Sequence, residues 1–423
     1  MENFLGTVVI LLLFVVVLGY FNEKVTKLTY EIALMLFSVI IGMGCLITGD
    51  LFHVTFIQQF VDRIGRIDLD AFLVDGVLCF MLFAGSCHMK LLSFKKHARI
   101  ISLLAIGATL LGAVFYGLLF YGASVLLHLG VSLPVCLMFG SITAPTDPIA
   151  ATSILKKFNL PKQIGFIIEG ESLLNDGVGV ALFVCFSGMV TAEEGGGFFA
   201  VMFRELFGAV AVGVVISLVC FQIFRRTQDG ARRIYVSLLA ITLSYMLCEC
   251  FDFSGAIASV VCGVMFSAQR NLRASKGDEM ELAEFDTFWE ILDNLLNSVL
   301  YVLLGLSFLN ILQMPNVLLV SVLVVIFNLI GRMGSVGASS LFAGKLPDGY
   351  DKWSFVKLLT WGGLRGGLSV ALAMSTQDML PSTIYHIVLG GTYAIVFFTT
   401  IVQGLTMKRV YQGIEAKLNT KKQ

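Results

Sequence analysis

The chain has 423 residues, of which 57% are hydrophobic and only 14% charged, and its basic and acidic side chains cancel to a formal net charge of zero. With a mean hydropathy of +0.87, this composition excludes a soluble domain and gives no electrostatic footprint for a nucleic-acid partner. It describes an all-α, polytopic membrane protein, in which apolar runs of about 20 residues, each able to cross a hydrocarbon core of about 30 Å, recur between short polar breaks.

About thirteen spans are predicted, near residues 3–21, 29–48, 70–88, 100–128, 132–155, 164–190, 198–224, 234–251, 254–269, 286–310, 316–343, 354–378 and 383–407. The first run is too long for a signal peptide and has neither the basic front nor the small-residue cleavage site, so it reads as a true span. The nine cysteines lie within the apolar runs without a CxxC pair and read as small packing residues. The loops alternate in Lys and Arg content. One set carries Lys24 and Lys27, the cluster from Lys90 to Arg99, the cluster from Lys156 to Lys162, the four arginines from Arg225 to Arg233, Arg270 to Lys276, Lys345 to Lys357, and the C-terminal basic residues. The other side has only Arg63, Arg66 and Arg204, while Arg332 and Arg365 fall inside spans. By the positive-inside rule, the C-terminus is cytoplasmic and, with an odd number of spans, the N-terminus lies outside. Residues 1–410 then form a single transmembrane domain and 411–423 a short cytoplasmic tail.

Two spans are interrupted midway. The fifth contains GSITAPTDPIAATS at 140–153, where Pro145 and Pro148 remove backbone donors, and the twelfth contains WGGLRGGLS at 361–369, where paired glycines ease unwinding. If spans 1–6 and 8–13 are inverted copies joined by span 7, both interruptions fall in the fifth member of a copy. Broken, crossing helices in corresponding positions mark a transporter's mid-membrane ion site, because their free carbonyls and helix ends face the ion.

Span 6 carries EGESLLNDGVGVAL at 169–182. At 1.5 Å per residue, Glu171 lies roughly 10 Å and Asp176 roughly 18 Å from the cytoplasmic end. Ser172 and Asp176 share one helical stripe and Glu171 and Asn175 the next, making one polar face. An unpaired carboxylate at this depth is costly when charged, so a proton and a cation compete for the same oxygens. A membrane carboxylate can also simply hold helices together. Arg332, roughly 24 Å into span 11 from the outside, reaches about the depth of Glu171, so the two are predicted to pair. Arg365 supplies positive charge to the second break. Asp176 is left without a basic partner and is the main candidate for ion binding. Thr146 and Asp147 offer a hydroxyl, a carbonyl and a second carboxylate, a donor set suited to a hard monovalent cation, although Asp147 can equally cap a helix end. Glu169 belongs to a wet entrance; Asn294, Asn297 and Asn328 suit interhelical hydrogen bonds. The five histidines sit at span ends and form no metal-like cluster.

TAPTDPIA at 143–150, EGESLLNDGVGVALF at 169–183, FWEILDNLLNSVLYVLLG at 288–305, Gly331-Arg332 and WGGLRGGLSVAL at 361–372 resemble, in order and over nearly the whole chain, the monovalent cation/proton antiporters of the NhaP and NHE type. The resemblance implies that Asp176 binds sodium and proton alternately, helped by Ser172 and the Thr146 carbonyl. Asn175 stands where electrogenic relatives carry a second Asp, which implies one sodium for one proton without net charge. It also implies that Glu171 and Arg332 are the family's structural ion pair, that Arg365 is the arginine of its second broken helix, and that the protein is a homodimer in the cell membrane with a six-helix core moving like an elevator. No cofactor is implied beyond the transported sodium, or lithium, and protons. The short tail departs from animal exchangers with long regulatory domains. Potassium in place of sodium fits the same ligands. A passive cation channel would favour a repeated pore loop, and an intramembrane aspartyl protease, which could pair Asp147 with Asp176, lacks its GxGD motif here.

Overall fold

A computed structural model describes residues 2–52, 77–87, 91–147, 162–191, 198–251, 253–274, 282–312, 317–344, 346 and 350–420. Among these the chain is helical, without a strand. The helices are α1 (Glu2–Phe21), α2 (Tyr30–Phe52), α3 (Leu78–Cys87), α4 (Leu91–Ser102), α5 (Thr109–Leu126), α6 (Leu133–Thr143), α7 (Lys162–Thr191), α8 (Phe198–Arg226), α9 (Gly230–Cys250), α10 (Gly255–Ala274), α11 (Ala283–Leu312), α12 (Val317–Phe342), α13 (Lys352–Trp361), α14 (Gly367–Met374), α15 (Ser382–Phe397) and α16 (Gly404–Thr420). Wider π-helical turns at Leu103–Ala108 and Phe398–Gln403 join α4 to α5 and α15 to α16 into continuous rods. Among the described residues, eight helical stretches are long and apolar enough to cross a membrane, and Tyr30–Cys45, Leu78–Cys87 and Leu133–Thr143 are shorter apolar helices. Every segment read as a span therefore holds helix. Pro148, residues 149–161, Arg63 and Arg66 lie outside the described residues.

Lipid tails are as apolar as leucine, so helices of such a protein associate through close packing and polar contacts rather than by escape from water. α6 illustrates the packing: Gly140 faces α5 so closely that a Cβ there would lie 2.9 Å from the Ala113 carbonyl carbon. α5 and α6 are accordingly the most extensively packed pair among the described residues. α11 is braced by Trp289, which is fully buried and donates to Ser237 Oγ on α9 at 3.1 Å. At its start, Asp286 accepts two bonds from Arg270 of α10 at 2.7 and 2.8 Å. Seven of the nine cysteines are buried, packing as small groups in the apolar interior. Outward faces of α1, α8 and α12 expose Val16, Phe207, Val215 and Leu319, as a lipid-facing surface requires.

The last helix runs farther than hydropathy indicates. Span 13 and its tail, divided near 407–411 in the sequence, form one helix to Thr420, because Met407, Tyr411, Ile414 and Leu418 recur at helical spacing and pack into the core.

Candidate functional site

Two helices stop in the middle of the bundle. α6 ends at Thr143, where Pro145 cannot continue its hydrogen-bond ladder, and the chain is non-helical from Ala144 to Asp147. α13 ends at Trp361, the chain is non-helical from Gly363 to Gly366 after a turn at Gly362, and α14 begins at Gly367. The breaks touch through their backbones: the Asp147 N–H donates to the Leu364 carbonyl at 2.8 Å. This contact needs Gly366, where a Cβ would come within 2.9 Å of the Asp147 Cγ.

Each break carries the charge that suits the other's helix end. The Arg365 guanidinium donates through Nη1 to the carbonyls of Ala144 and Pro145, the latter at 2.8 Å, and through Nη2 to Asn328 Oδ1 at 3.1 Å. It thereby serves the orphan carbonyls at the negative end of α6. Asp147 lies against Gly366, at the positive N-terminal end of α14. The π-helical turn after α15 presents Thr399 to the Arg365 N–H at 3.1 Å and Thr400 to its carbonyl at 3.4 Å, so the break's own backbone is satisfied.

α7 lays its polar face along the first break. Asn175 Nδ2 donates to Thr146 Oγ1 at 2.7 Å and to Glu171 Oε1 at 3.2 Å, while its Oδ1 accepts the Thr146 N–H at 3.1 Å. The hydroxyls of Thr146 and Ser172 lie 2.8 Å apart. Arg332 from α12 grips Glu171. Glu171, Ser172, Asn175, Thr146, Arg332 and Arg365 are all buried. The structure thus joins Glu171, Asn175, Thr146 and Ser172 into one connected network, and holds Arg365 separately on the α6 carbonyls.

Asp176 is different. It lines a cavity of about 80 Å³ together with Pro145, Thr146 and Asp147 of the first break and Gly366 and Gly367 of the second. No hydrogen bond or ion pair reaches its carboxylate among the described residues, although Asp147 and Glu171 place negative charge nearby. Asp147 is engaged by Tyr301 of α11, whose hydroxyl donates to its Oδ2. The cavity has room for several waters or a partly hydrated ion.

α11 contributes one carboxylate that sequence reasoning did not single out, Asp293, and brings Asn297 to the cavity beside it. Asp293 and Asn297 line the same cavity, as does Ser369 of α14. Asp293 sits among polar residues near the start of its span; its signal is the four-residue spacing Asp293, Asn297, Tyr301, one stripe of a helix. Asn328 bonds Arg365. Asn294 and Glu169 are exposed, and His97, His128 and His386 lie away from the cavity; His53 and His88 fall outside the described residues.

Comparison with known proteins agrees with this architecture. Residues 10–413 match the transmembrane sodium/hydrogen exchanger family. The chain is 29% identical over 413 residues to the Na(+)/H(+) antiporter NhaP of Pseudomonas aeruginosa, covering 94% of each. It is 32% identical over 297 residues to the Na(+)/H(+) antiporter NhaH of Halobacillus dabanensis, covering 68% of this chain and 70% of that one. The fold is similar to the sodium proton antiporter MjNhaP1 of Methanocaldococcus jannaschii, with a TM-score of 0.78 at 19% identity over 97% of this chain and 99% of that one.

Proposed function

We propose, from the premise that this chain belongs to the sodium/hydrogen exchanger family, that it moves one sodium ion against one proton across the membrane, electroneutrally, with both competing for Asp176. Membership makes it a multi-pass membrane transporter of cations and protons rather than an enzyme. The observation that carries the finer reading is the inequality of the carboxylates: Glu171 is neutralised by Arg332 and Asp147 is held by Tyr301, whereas Asp176 faces the cavity with no such partner among the described residues. Thr146 lines the same cavity, and Ser172, whose hydroxyl lies 2.8 Å from that of Thr146, precedes Asp176 by one helical turn; oxygen ligands of this kind suit sodium or lithium.

In this reading Asp176 exchanges its proton for sodium while the cavity faces the cytoplasm. The neutralised site crosses the membrane, and outside a proton displaces the sodium for the return. An occupied, neutral site traverses the low-dielectric layer more readily than a charged empty one, which couples the two fluxes. Asn175, a neutral amide with its donors engaged, adds no second titrating group and so supports a one-to-one ratio. The cytoplasmic C-terminus, the homodimer and the elevator motion of a six-helix core belong to the same proposal.

The test is exchange in liposomes containing purified protein and an internal pH dye, with sodium, lithium or potassium added at zero and at strongly negative membrane voltage. Sodium-driven proton movement equal at both voltages, and absent in Asp176→Asn, is expected. Exchange with potassium alone would replace sodium in the reading, and strong voltage dependence would remove the one-to-one ratio.

A further inference from the structure

The cavity has a second set of oxygen atoms that the competition at Asp176 does not use. On α11, Asn297 Nδ2 donates to the Asp293 carbonyl at 2.8 Å and to Asp293 Oδ1 at 3.0 Å. Both bonds of Asn297 involve its nitrogen, so its amide oxygen and one of the two carboxylate oxygens of Asp293 have no bond among the described residues. On α14, Ser369 is 1% exposed, and its hydroxyl has no hydrogen-bond partner among the described residues, although it lies on the wall of the cavity. A buried hydroxyl without a partner costs about 1–3 kcal/mol unless something in the cavity satisfies it. Water alone would serve a hydroxyl, but a carboxylate in the same apolar surroundings calls for a cation or a proton.

We propose that Asp293, Asn297 and Ser369 form a second, weaker monovalent-cation position in this cavity, where sodium rests partly hydrated before or after it engages Asp176. The inference rests on the sodium/proton reading above and extends it. The donors are an anionic oxygen, an amide oxygen and a hydroxyl, drawn from two helices other than the one that carries Asp176. Leu300 and Leu368 share the cavity wall and add apolar surface beside these donors. A staging position raises the local concentration of the ion beside the exchanging carboxylate. It therefore acts on the concentration of sodium needed and leaves the step that limits turnover nearly untouched.

The experiment uses the full-length protein in liposomes, with sodium as the probe, and compares wild type with Asp293→Asn and Ser369→Ala. Asp293→Asn is expected to raise the KM for sodium about tenfold with maximal rate reduced less than about twofold, and Ser369→Ala to raise it by about two- to threefold. Binding of radiolabelled sodium to purified protein gives a second readout. Asp176→Asn is expected to retain weak binding, and Asp176→Asn/Asp293→Asn to lose it. Ser369→Ala removes a hydroxyl that bonds to nothing among the described residues, so its melting temperature should not fall and its kinetics are interpretable even if Asp293→Asn folds poorly. A wild-type KM in both single variants, or no sodium bound by Asp176→Asn, overturns the second position while leaving the primary reading standing. Failure of wild type to exchange sodium, measured in the same vesicles, overturns the primary reading and the second position with it.

Discussion

The Arg332 guanidinium holds the Glu171 carboxylate at both oxygens, with Nη1 2.8 Å from Oε1 and Nη2 2.9 Å from Oε2, and the two side chains are 4% and 1% exposed. A buried pair of this kind offers little net stability over an apolar replacement, but removal of one partner strands a charge. Glu171→Gln should therefore destabilise the protein by about 3–5 kcal/mol, seen as a large fall in melting temperature in detergent or loss of the folded protein. Glu171→Gln combined with Arg332→Gln should recover part of that loss. A single variant that melts like wild type would show that the pair carries no structural role.

Asn175 links that pair to the first break, and the two bonds it donates depend on its being an amide. An aspartate at this position accepts from the Thr146 N–H but cannot donate to both Thr146 Oγ1 and Glu171 Oε1. Asn175→Asp should lower stability by about 1–3 kcal/mol, and Asn175→Ala by a similar amount because the Thr146 N–H is left unpaired in the interior. Thermal melts that match wild type for both would remove Asn175 from its linking role.

Some of this site can be read from the chain and some cannot. Ionisable residues stand out in apolar spans, and helix rise converts their positions to depth, so the meeting of Glu171 with Arg332 follows from arithmetic along two antiparallel helices. The interruptions at Pro145 and at the glycines from 362 to 367 are equally plain, because they break helical chemistry locally. The contact between the breaks is not: the bond from Asp147 N–H to the Leu364 carbonyl joins backbone atoms, which leave no mark in residue identity. Asp293 and Ser369 are hidden for a different reason. Serine is common in membrane helices, and an aspartate near the start of a span looks like part of the polar end, until α11 is seen to begin at Ala283 and carry it to the cavity.

Gly366 lets the two breaks meet. Alanine there would bring its Cβ to 2.9 Å from both Cβ and Cγ of Asp147, a distance side chains do not adopt, and Asp147 has little freedom to retreat while its N–H is bonded to Leu364 and its carboxylate to Tyr301. Gly366→Ala should cost about 1–3 kcal/mol of stability through overpacking and slow exchange, because the cavity wall shifts. The pair of measurements is a melting curve and the maximal exchange rate in liposomes. Wild-type values for both would mean that the breaks separate without consequence.

If one proton and one sodium compete for Asp176, the KM for sodium is set by mass action. With equal pH on both faces, each unit of acidification below the point where the carboxylate is half protonated should raise the KM about tenfold, so that log KM against pH has a slope of about −1. Above that point the KM should level off, since the carboxylate is already free of protons. The sign follows from the competition: protonation blocks the cation, so sodium is needed in greater excess as pH falls. Two protons released per sodium would instead give a slope of about −2, and would require Asp147 or Asp293 to titrate with Asp176. Measuring sodium-dependent exchange across a pH series, with Asp293→Asn beside wild type, separates these cases. A slope of about −1 in both proteins leaves Asp176 as the competing carboxylate, whereas a slope of about −2 that falls to −1 in the variant assigns the second proton to Asp293.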